Sequence, residues 1–369
     1  MKQKSKQLPF PRITIIGVGL IGGSLALAIK RRFPTTHIIG SDKPAVLKRA
    51  QQRNVIDEGI TSITRAVANT DLIILATPVS SILSLIPQIS SCSSPETIVT
   101  DVGSVKQTIT ELADMFFPNG NFIGGHPMTG SEFSGIDAAH PLLFQNAVYL
   151  LTPTKKTNKQ HFTRLSQFLK ILDTRVMQLP AAEHDSTIAA LSHLPQLAAV
   201  ALMNTAGSKH RTASKRLALG AGGFRDMTRI ASSPYTFWDD ILKLNQQEIR
   251  KSLNLYIKVL SSYEHSLSSH PAALEKEFQT SRRLRTSIPR SMKGFLSPLV
   301  DISVYVDDNP GQLARLTGAL AKAKINIKDL ELLKVREHRG GTFRLSFDSH
   351  RVAEQAKHVL HRAGFEVGS

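Results

Sequence analysis

Ile13-Thr14-Ile15-Ile16-Gly17-Val18-Gly19-Leu20-Ile21-Gly22-Gly23-Ser24 is the stretch whose reading decides the fold. The apolar residues 13 to 16 read as a buried strand and the residues from Leu20 and Ile21 onward as a helix, so the Gly-x-Gly-x-x-Gly pattern sits at a strand-to-helix turn. There each glycine has a task. Gly17 permits the tight turn, Gly19 lets the backbone approach a pyrophosphate, and Gly22 allows close packing of helix on strand. The N-terminus of that helix faces the negative charge. Asp42 ends the second predicted strand, where a carboxylate accepts from a ribose 2′-hydroxyl and repels a 2′-phosphate. The pattern therefore predicts a dinucleotide site that takes NAD, with Lys43 beside Asp42 leaving dual use open.

Outward from this turn, short apolar runs alternate with helical periods. Strands are expected at 13–16, 37–40, 71–77, 96–101, 121–126 and 147–152. Crossovers of helical length between strands imply a parallel sheet covered on both faces, the doubly wound Rossmann-type α/β class. Thr77-Pro78-Val79 and Asp101-Val102-Gly103-Ser104-Val105-Lys106 follow two of these strands, and ligands of open α/β sheets bind beyond the carboxyl ends of strands. Past Thr152 the pattern turns helical: one helix is expected over 159–176, then long helices from about Ala181 to Ser269. STIAALSHLPQLAAVALMNTA is apolar around much of its circumference, which predicts a buried helix packed against a second subunit. Pro195 should kink it or begin a new segment. The stretch from Arg282 to Pro298 has five basic and no acidic residues and reads as a solvated connector. The last seventy or so residues read as βαββαβ, the ferredoxin-like split unit. The expected division is a dinucleotide-binding domain at 10–178, an all-helical substrate and dimerisation domain at 179–280, a basic linker at 281–297 and an α+β domain at 298–369.

Composition narrows the function class. A chain of 369 residues with 41% apolar and 20% charged residues is a globular protein of two to three domains, and its single Cys92 excludes an intrachain disulfide and cysteine-ligated zinc. The net charge of +17 favours anionic partners without choosing among nucleic acid, membrane surface and small anions. Lys2, Lys4, Lys6 and Arg12 precede an apolar run as in a signal peptide, but glycines 17, 19, 22 and 23 break the run and Lys30, Arg31 and Arg32 end it. No other apolar stretch of that length is apparent, and the expectation is a cytoplasmic protein with neither membrane nor nucleic acid as partner.

Chemistry-bearing side chains cluster in three segments. Gly124-Gly125-His126-Pro127-Met128-Thr129-Gly130-Ser131-Glu132 follows a predicted strand and places a histidine at the cofactor edge. Ser192-His193-Leu194-Pro195 adds a second histidine. Gly222-Gly223-Phe224-Arg225-Asp226-Met227-Thr228-Arg229 presents two arginines spaced i, i+4, and guanidiniums on one face suit bidentate carboxylate recognition. His184 and His193 match no common metal-ligand spacing, so no metal is expected.

In order along the chain, GVGLIGGS, ATPVS, TDVGSVK, GGHPMTGSEFSG, LSHLP, GFRDMTRIA and DNPGQLARLTGALAKAKINI resemble the prephenate dehydrogenase family, in its bacterial form with a C-terminal ACT domain. The resemblance covers nearly the whole chain. It implies NAD-dependent oxidative decarboxylation of prephenate to 4-hydroxyphenylpyruvate in tyrosine biosynthesis. It implies that His126 takes the proton of the substrate's C4 hydroxyl, with Ser104 in the same hydrogen-bond network. Arg229 would pair with a substrate carboxylate and Arg225 would lie nearby. Glu132, with Ser131 before it, and Asp226 would orient the arginines, and His193 would line the substrate pocket. Some relatives carry a histidine where Gln196 stands, which puts side-chain recognition and inhibition at the active site in question. In the C-terminal domain Asn309, Pro310, Gly311, Gln312 and Leu313 match the loop and helix start that meet an amino-acid effector, tyrosine being favoured. The apolar helical region makes a homodimer the expectation. The competing readings are an arogenate dehydrogenase, differing by an amino group on the substrate, and a non-catalytic NAD and amino-acid sensor.

Overall fold

A computed structural model of the protein describes residues 9–130, 133–207, 213–288, 299–336 and 340–368. The chain divides into two units, Met1–Leu274 and Glu275–Ser369.

The first unit is built on an eight-stranded sheet of β1 (Arg12–Ile16), β2 (His37–Ser41), β3 (Glu58–Gly59), β4 (Leu72–Leu75), β5 (Ile98–Asp101), β6 (Phe122–Pro127), β7 (Val148–Pro153) and β8 (Arg175–Gln178), in the order β3-β2-β1-β4-β5-β6-β7-β8. The strand order reverses at β1, whose neighbours are β2 and β4, both parallel to it. Alternation explains the two-sided burial. In β4, Leu72 and Ile74 join one core cluster while Ile73 and Leu75 join the other. Helices Leu20–Arg32 and Lys159–Ile171 cover the first face with Leu25, Ile29, Leu165 and Phe168. Val79–Cys92 and Gln107–Phe116 cover the second with Ile82, Ile86, Ile89 and Ile109. Each fully buried Leu, Ile or Phe contributes about 1.5–3 kcal/mol.

Two features differ from the pattern expected of the sequence. β7 runs antiparallel to β6, because the described residues between them hold only the short turn Ile136–Ala138 and no returning helix. The helix expected to run to residue 176 ends at Ile171, and β8 follows it as an edge strand parallel to β7. Its exposed residues lack the continuous apolar run that marked the central strands.

After β8 the first unit is helical. Ala181–Ile188, a π-turn at Ala189–His193 and Leu194–Gly207 form one helical run, with Pro195 just past the π-turn, an irregularity of the ladder where a residue without an N–H is accommodated. This run is long and apolar enough to cross a membrane by length and composition, contrary to the expectation that no second such stretch exists. Its first half is tied into the interior: His184, Asp185 and His193 are buried and hydrogen-bonded. The expected burial of its second half is not met within one chain, since only Gln196 and Ala199 of Leu194–Gly207 are buried. Helices Tyr235–Leu244 and Gln246–Ser269 follow.

Helix Leu274–Ser287 begins at the last residue of the first unit and runs into the second, so the basic stretch begins inside a helix; residues 289–298 lie outside the described residues. Strands β9 (Val300–Val306), β10 (Asp329–Arg336), β11 (Gly340–Phe347) and β12 (Glu366–Gly368) form an antiparallel sheet ordered β10-β11-β9-β12. Helices Gln312–Lys322 and His350–Arg362 pack on it through Leu316, Leu320, Ala353, Ala356 and Leu360, giving the βαββαβ order expected from the sequence.

Candidate active site

The carboxyl ends of β1, β2, β4 and β5 lie side by side, with Ile16 paired to Ser41 and Leu75, and Leu75 to Asp101. The glycine turn emerges at this edge. Gly17 has φ +94°, and a Cβ there would lie 2.5 Å from the Ala76 carbonyl oxygen. A Cβ on Gly22 would lie 2.0 Å from the Gly17 oxygen, whereas one on Gly19 would meet nothing within 4 Å. The first and third glycines are thus demanded by the protein itself, and the second faces open space of the kind a pyrophosphate needs. Helix Leu20–Arg32 has no side-chain cap and no acidic residue in its first turn, so its N-terminal N–H groups are left for an anion. Asp42 Oδ2 accepts from Val18 N at 2.8 Å and Oδ1 from Lys43 N at 2.7 Å, so the carboxylate also braces the glycine turn. These residues fit a dinucleotide.

Two adjoining cavities open from this turn. One, of about 280 Å³, is lined by Leu20, Ile21, Thr77, Pro78, Val79, Gly103, Ser104 and His126, together with Phe237 and Asp240 from the helical part. The other, of about 550 Å³, is lined by Gly19, Leu20, Ile21, Gln196, Arg229, Phe237 and Trp238. Leu20, Ile21, Ala76, Gly130 and Phe237 border both. The sequence-predicted nucleotide turn, Ser104 and His126 are therefore brought together, with Arg229 and Gln196 in the neighbouring cavity. His193 is buried behind Trp238, ring edge to face at a centroid distance of 6.0 Å. Arg225 and Asp226 are exposed and line neither cavity; Arg225 Nε donates to the Gly220 carbonyl at 3.0 Å. Lys43 is exposed at the start of helix Pro44–Gln52. Ser131 and Glu132 lie outside the described residues. In the second unit Asn309, Gln312 and Leu313 line a shallow pocket of about 160 Å³ with Asp307, Asp308 and Gly340, while Gly311, at φ +86°, starts the helix and Pro310 is not among the lining residues.

His126 stands on β6, and the structure surrounds it with partners that sequence spacing did not reveal. Its Nδ1 lies 2.8 Å from His184 Nε2, and His184 Nδ1 lies 2.7 Å from Asp185 Oδ1. Asp185 also accepts from the backbone N–H groups of Lys106 at 2.7 Å and Gln107 at 2.9 Å, at the start of helix Gln107–Phe116. The Lys106 ammonium is fully buried, paired with Asp101 and donating to the Gly125 carbonyl at 2.8 Å, which steadies the strand just before His126. Burial holds the His126 imidazole well below its ordinary pKa, and neighbouring His184, Lys106 and His193 push the same way. His184 is lowered by burial against the opposing pull of Asp185, and His193 is lowered to about 4, chiefly by burial. Burial thus favours the neutral form of all three rings.

Two consecutive family matches span this architecture. Residues 25–178 match the nucleotide-binding domain of prephenate dehydrogenase, and residues 180–279 match its dimerization domain. A prephenate dehydrogenase of Bacillus subtilis is 36% identical over 362 residues, covering 96% of this chain and 97% of that protein. The chain belongs to the prephenate dehydrogenase family. Among solved members, the prephenate dehydrogenase of Aquifex aeolicus, crystallised with hydroxyphenyl propionate and NAD+, is 28% identical with a TM-score of 0.69, covering 76% of this chain and all of that one. An arogenate dehydrogenase of Synechocystis is 31% identical with a TM-score of 0.68, covering 75% of this chain and all of that one. Both prephenate and arogenate enzymes thus share the architecture of the first unit. Within this prephenate dehydrogenase family member, the EHD run at Glu183-His184-Asp185 was visible in the sequence, but nothing in its spacing joined it to His126 on another element.

Proposed function

We propose that the chain catalyses NAD-dependent oxidative decarboxylation of prephenate to 4-hydroxyphenylpyruvate. The observation that carries the reading is a neutral histidine, His126, in a cavity it shares with Ser104 and the glycine turn. When bound, NAD supplies the hydride acceptor at its nicotinamide. The protein's part is to bind the substrate against that ring and to take one proton. His126 Nε2 accepts the C4 hydroxyl proton, and Ser104 on the same cavity wall holds the hydroxyl in line. Loss of carbon dioxide then forms an aromatic ring, which drives the step without covalent catalysis. Arg229, in the adjoining cavity, pairs with a substrate carboxylate. Gly19 and the N-terminus of helix Leu20–Arg32 hold the cofactor pyrophosphate, with Gly17 and Gly22 shaping the turn; Asp42 holds the ribose, and Thr77 to Val79 the nicotinamide half.

The same reading makes the second unit an ACT domain, with an amino acid, tyrosine first, bound at the Asn309 to Leu313 turn. It makes the exposed apolar helix Leu194–Gly207 part of a homodimer interface within a soluble, cytoplasmic protein. The domain division at 10–178, 179–280 and 298–369 belongs to this reading as well. The test is reduction of NAD and of NADP with prephenate and with arogenate in parallel, each with and without tyrosine. Turnover of prephenate with NAD is expected; His126→Ala should reduce kcat by about 10²–10⁴-fold while leaving NAD affinity intact. Preferred turnover of arogenate would replace the substrate, and no turnover of either would overturn the enzyme reading.

A further inference from the structure

Two histidines of this site end in groups whose hydrogen-bonding sense is fixed, and the ends differ. Asp185 is one end. Its Oδ2 takes the Gln107 N–H, and its Oδ1 takes the Lys106 N–H as well as facing His184 Nδ1. A carboxylate that collects two backbone amides at a helix N-terminus is ionised and can only accept. His184 Nδ1 therefore donates. With His184 neutral, its Nε2 carries a lone pair, so the His126 Nδ1 at 2.8 Å must be the donor of that bond. His126 Nε2 is left without a proton.

The backbone carbonyl of the same Asp185 is the other end. Asn245 Nδ2 lies 2.9 Å from it, and a carbonyl oxygen only accepts, so this face of the amide is its NH2. The same nitrogen lies 3.2 Å from His193 Nδ1, which must then accept. His193 Nε2 accordingly carries the proton, and it is buried with no hydrogen-bond partner among the described residues.

We infer that His184, Asp185 and Asn245 are positioning residues that set opposite tautomers on two histidines of the site, His126 with a bare Nε2 and His193 with Nε2–H. Asp185 anchors both, one through its carboxylate and the other through its carbonyl. This deepens the proposed function and rests on it only for its catalytic consequence. With the opposite tautomer, His126 would present an N–H to the substrate hydroxyl and could not take its proton. A free histidine side chain favours Nε2–H, so the chain through His184 holds His126 against its intrinsic preference. The lowered pKa values of the three rings keep them neutral, and the other charged groups facing this cluster are the Lys106 ammonium and Asp101.

The experiment is long-range proton–nitrogen correlation NMR on the full chain labelled with 15N-histidine, at a pH above the ordinary histidine pKa, without ligand. Signals are assigned through His126→Gln and His193→Gln. The wild-type spectrum should show His126 with a pyrrole-like Nδ1 and a pyridine-like Nε2, and His193 the reverse. A pyrrole-like Nε2 on His126 or a pyridine-like Nε2 on His193 overturns the inference, whatever any variant does. His184→Leu should return His126 to Nε2–H and lower kcat by about 10²-fold or more with KM little changed. His184→Gln, whose carbonyl can still accept from His126 Nδ1, should restore the tautomer and part of the rate. A rate loss in His184→Leu with the His126 tautomer unchanged would mean that the residue only supports the fold, and would also overturn it. Tautomers as expected in a protein that turns over neither prephenate nor arogenate would uphold this inference and sink the enzyme reading instead.

Discussion

Replacing Lys106 by Met should show how far the site depends on one buried charge. Lys106 and Asp101 are both fully inaccessible, and the ammonium also donates to the Gly125 carbonyl at 2.8 Å. Burial lowers the Lys106 pKa while Asp101 and Asp185 pull it back. Methionine keeps most of the side chain's length and removes only the ammonium. Asp101 would then retain the Gly103 N–H at 2.8 Å and the Gly125 N–H at 3.1 Å, but with no cation, and the Gly125 carbonyl would lose this donor. Stranding one partner of a buried pair costs about 3–5 kcal/mol. For a unit of this size that is a fall in Tm of roughly 5–9 °C. Because Gly125 precedes His126 on β6, kcat should fall as well at temperatures where the variant is folded. Calorimetry of wild type, Lys106→Met, Asp101→Asn and the double variant gives the coupling directly. The double variant should recover part of the loss, since Asn removes the stranded charge while keeping one acceptor oxygen. A Lys106→Met Tm within about 2 °C of wild type, or a double variant as unstable as the sum of the singles, would refute the reasoning.

Acid should destabilise the protein through its buried histidines. Above pH 6.5 His193 is neutral folded and unfolded; as pH falls from 6.5 toward 4 the unfolded chain takes a proton that the folded one refuses, removing up to about 3 kcal/mol. Urea titrations across that range should show this loss, and His193→Gln should diminish it; an identical pH dependence in the variant would contradict the burial argument. Gly22→Ala should weaken NAD binding by about tenfold or more, because the new Cβ would fall 2.0 Å from the Gly17 oxygen and displace the turn; calorimetry giving an unchanged Kd would rule that out. Arg229→Ala should raise KM for prephenate by about 10- to 100-fold with kcat less affected, and steady-state kinetics with KM unchanged would remove Arg229 from substrate binding.

The strand-glycine-helix turn at 13–24 and the apolar runs at 37–40, 71–77, 96–101, 121–126 and 147–152 were enough to read the first unit's α/β class, because a buried parallel strand must be apolar on both faces and its signature is local. The same holds for the βαββαβ order of the second unit, whose first strand, Val300–Val306, alternates in burial. His126, Ser104 and Arg229 were legible as candidates since each sits in a motif at the end of a predicted element. The antiparallel β7 and the edge strand β8 were not legible, because direction depends on where a connection returns and an exposed edge carries little hydrophobic signal. Nor was the failure of Arg225 to reach a cavity, since an i, i+4 spacing establishes a shared helix face without saying what that face meets.

What the sequence alone determined was the α/β class of the first unit, the βαββαβ order of the second and the presence of a dinucleotide turn beside a histidine. Only the tertiary structure decided what that histidine can do. Its tautomer depends on His184, Asp185 and the amides of Lys106 and Gln107, which come from two other elements and meet only when the helical part packs on the sheet. A hydrogen bond has a reach of about 3 Å and a direction, so its partners are chosen by three-dimensional packing and leave no periodic trace along the chain.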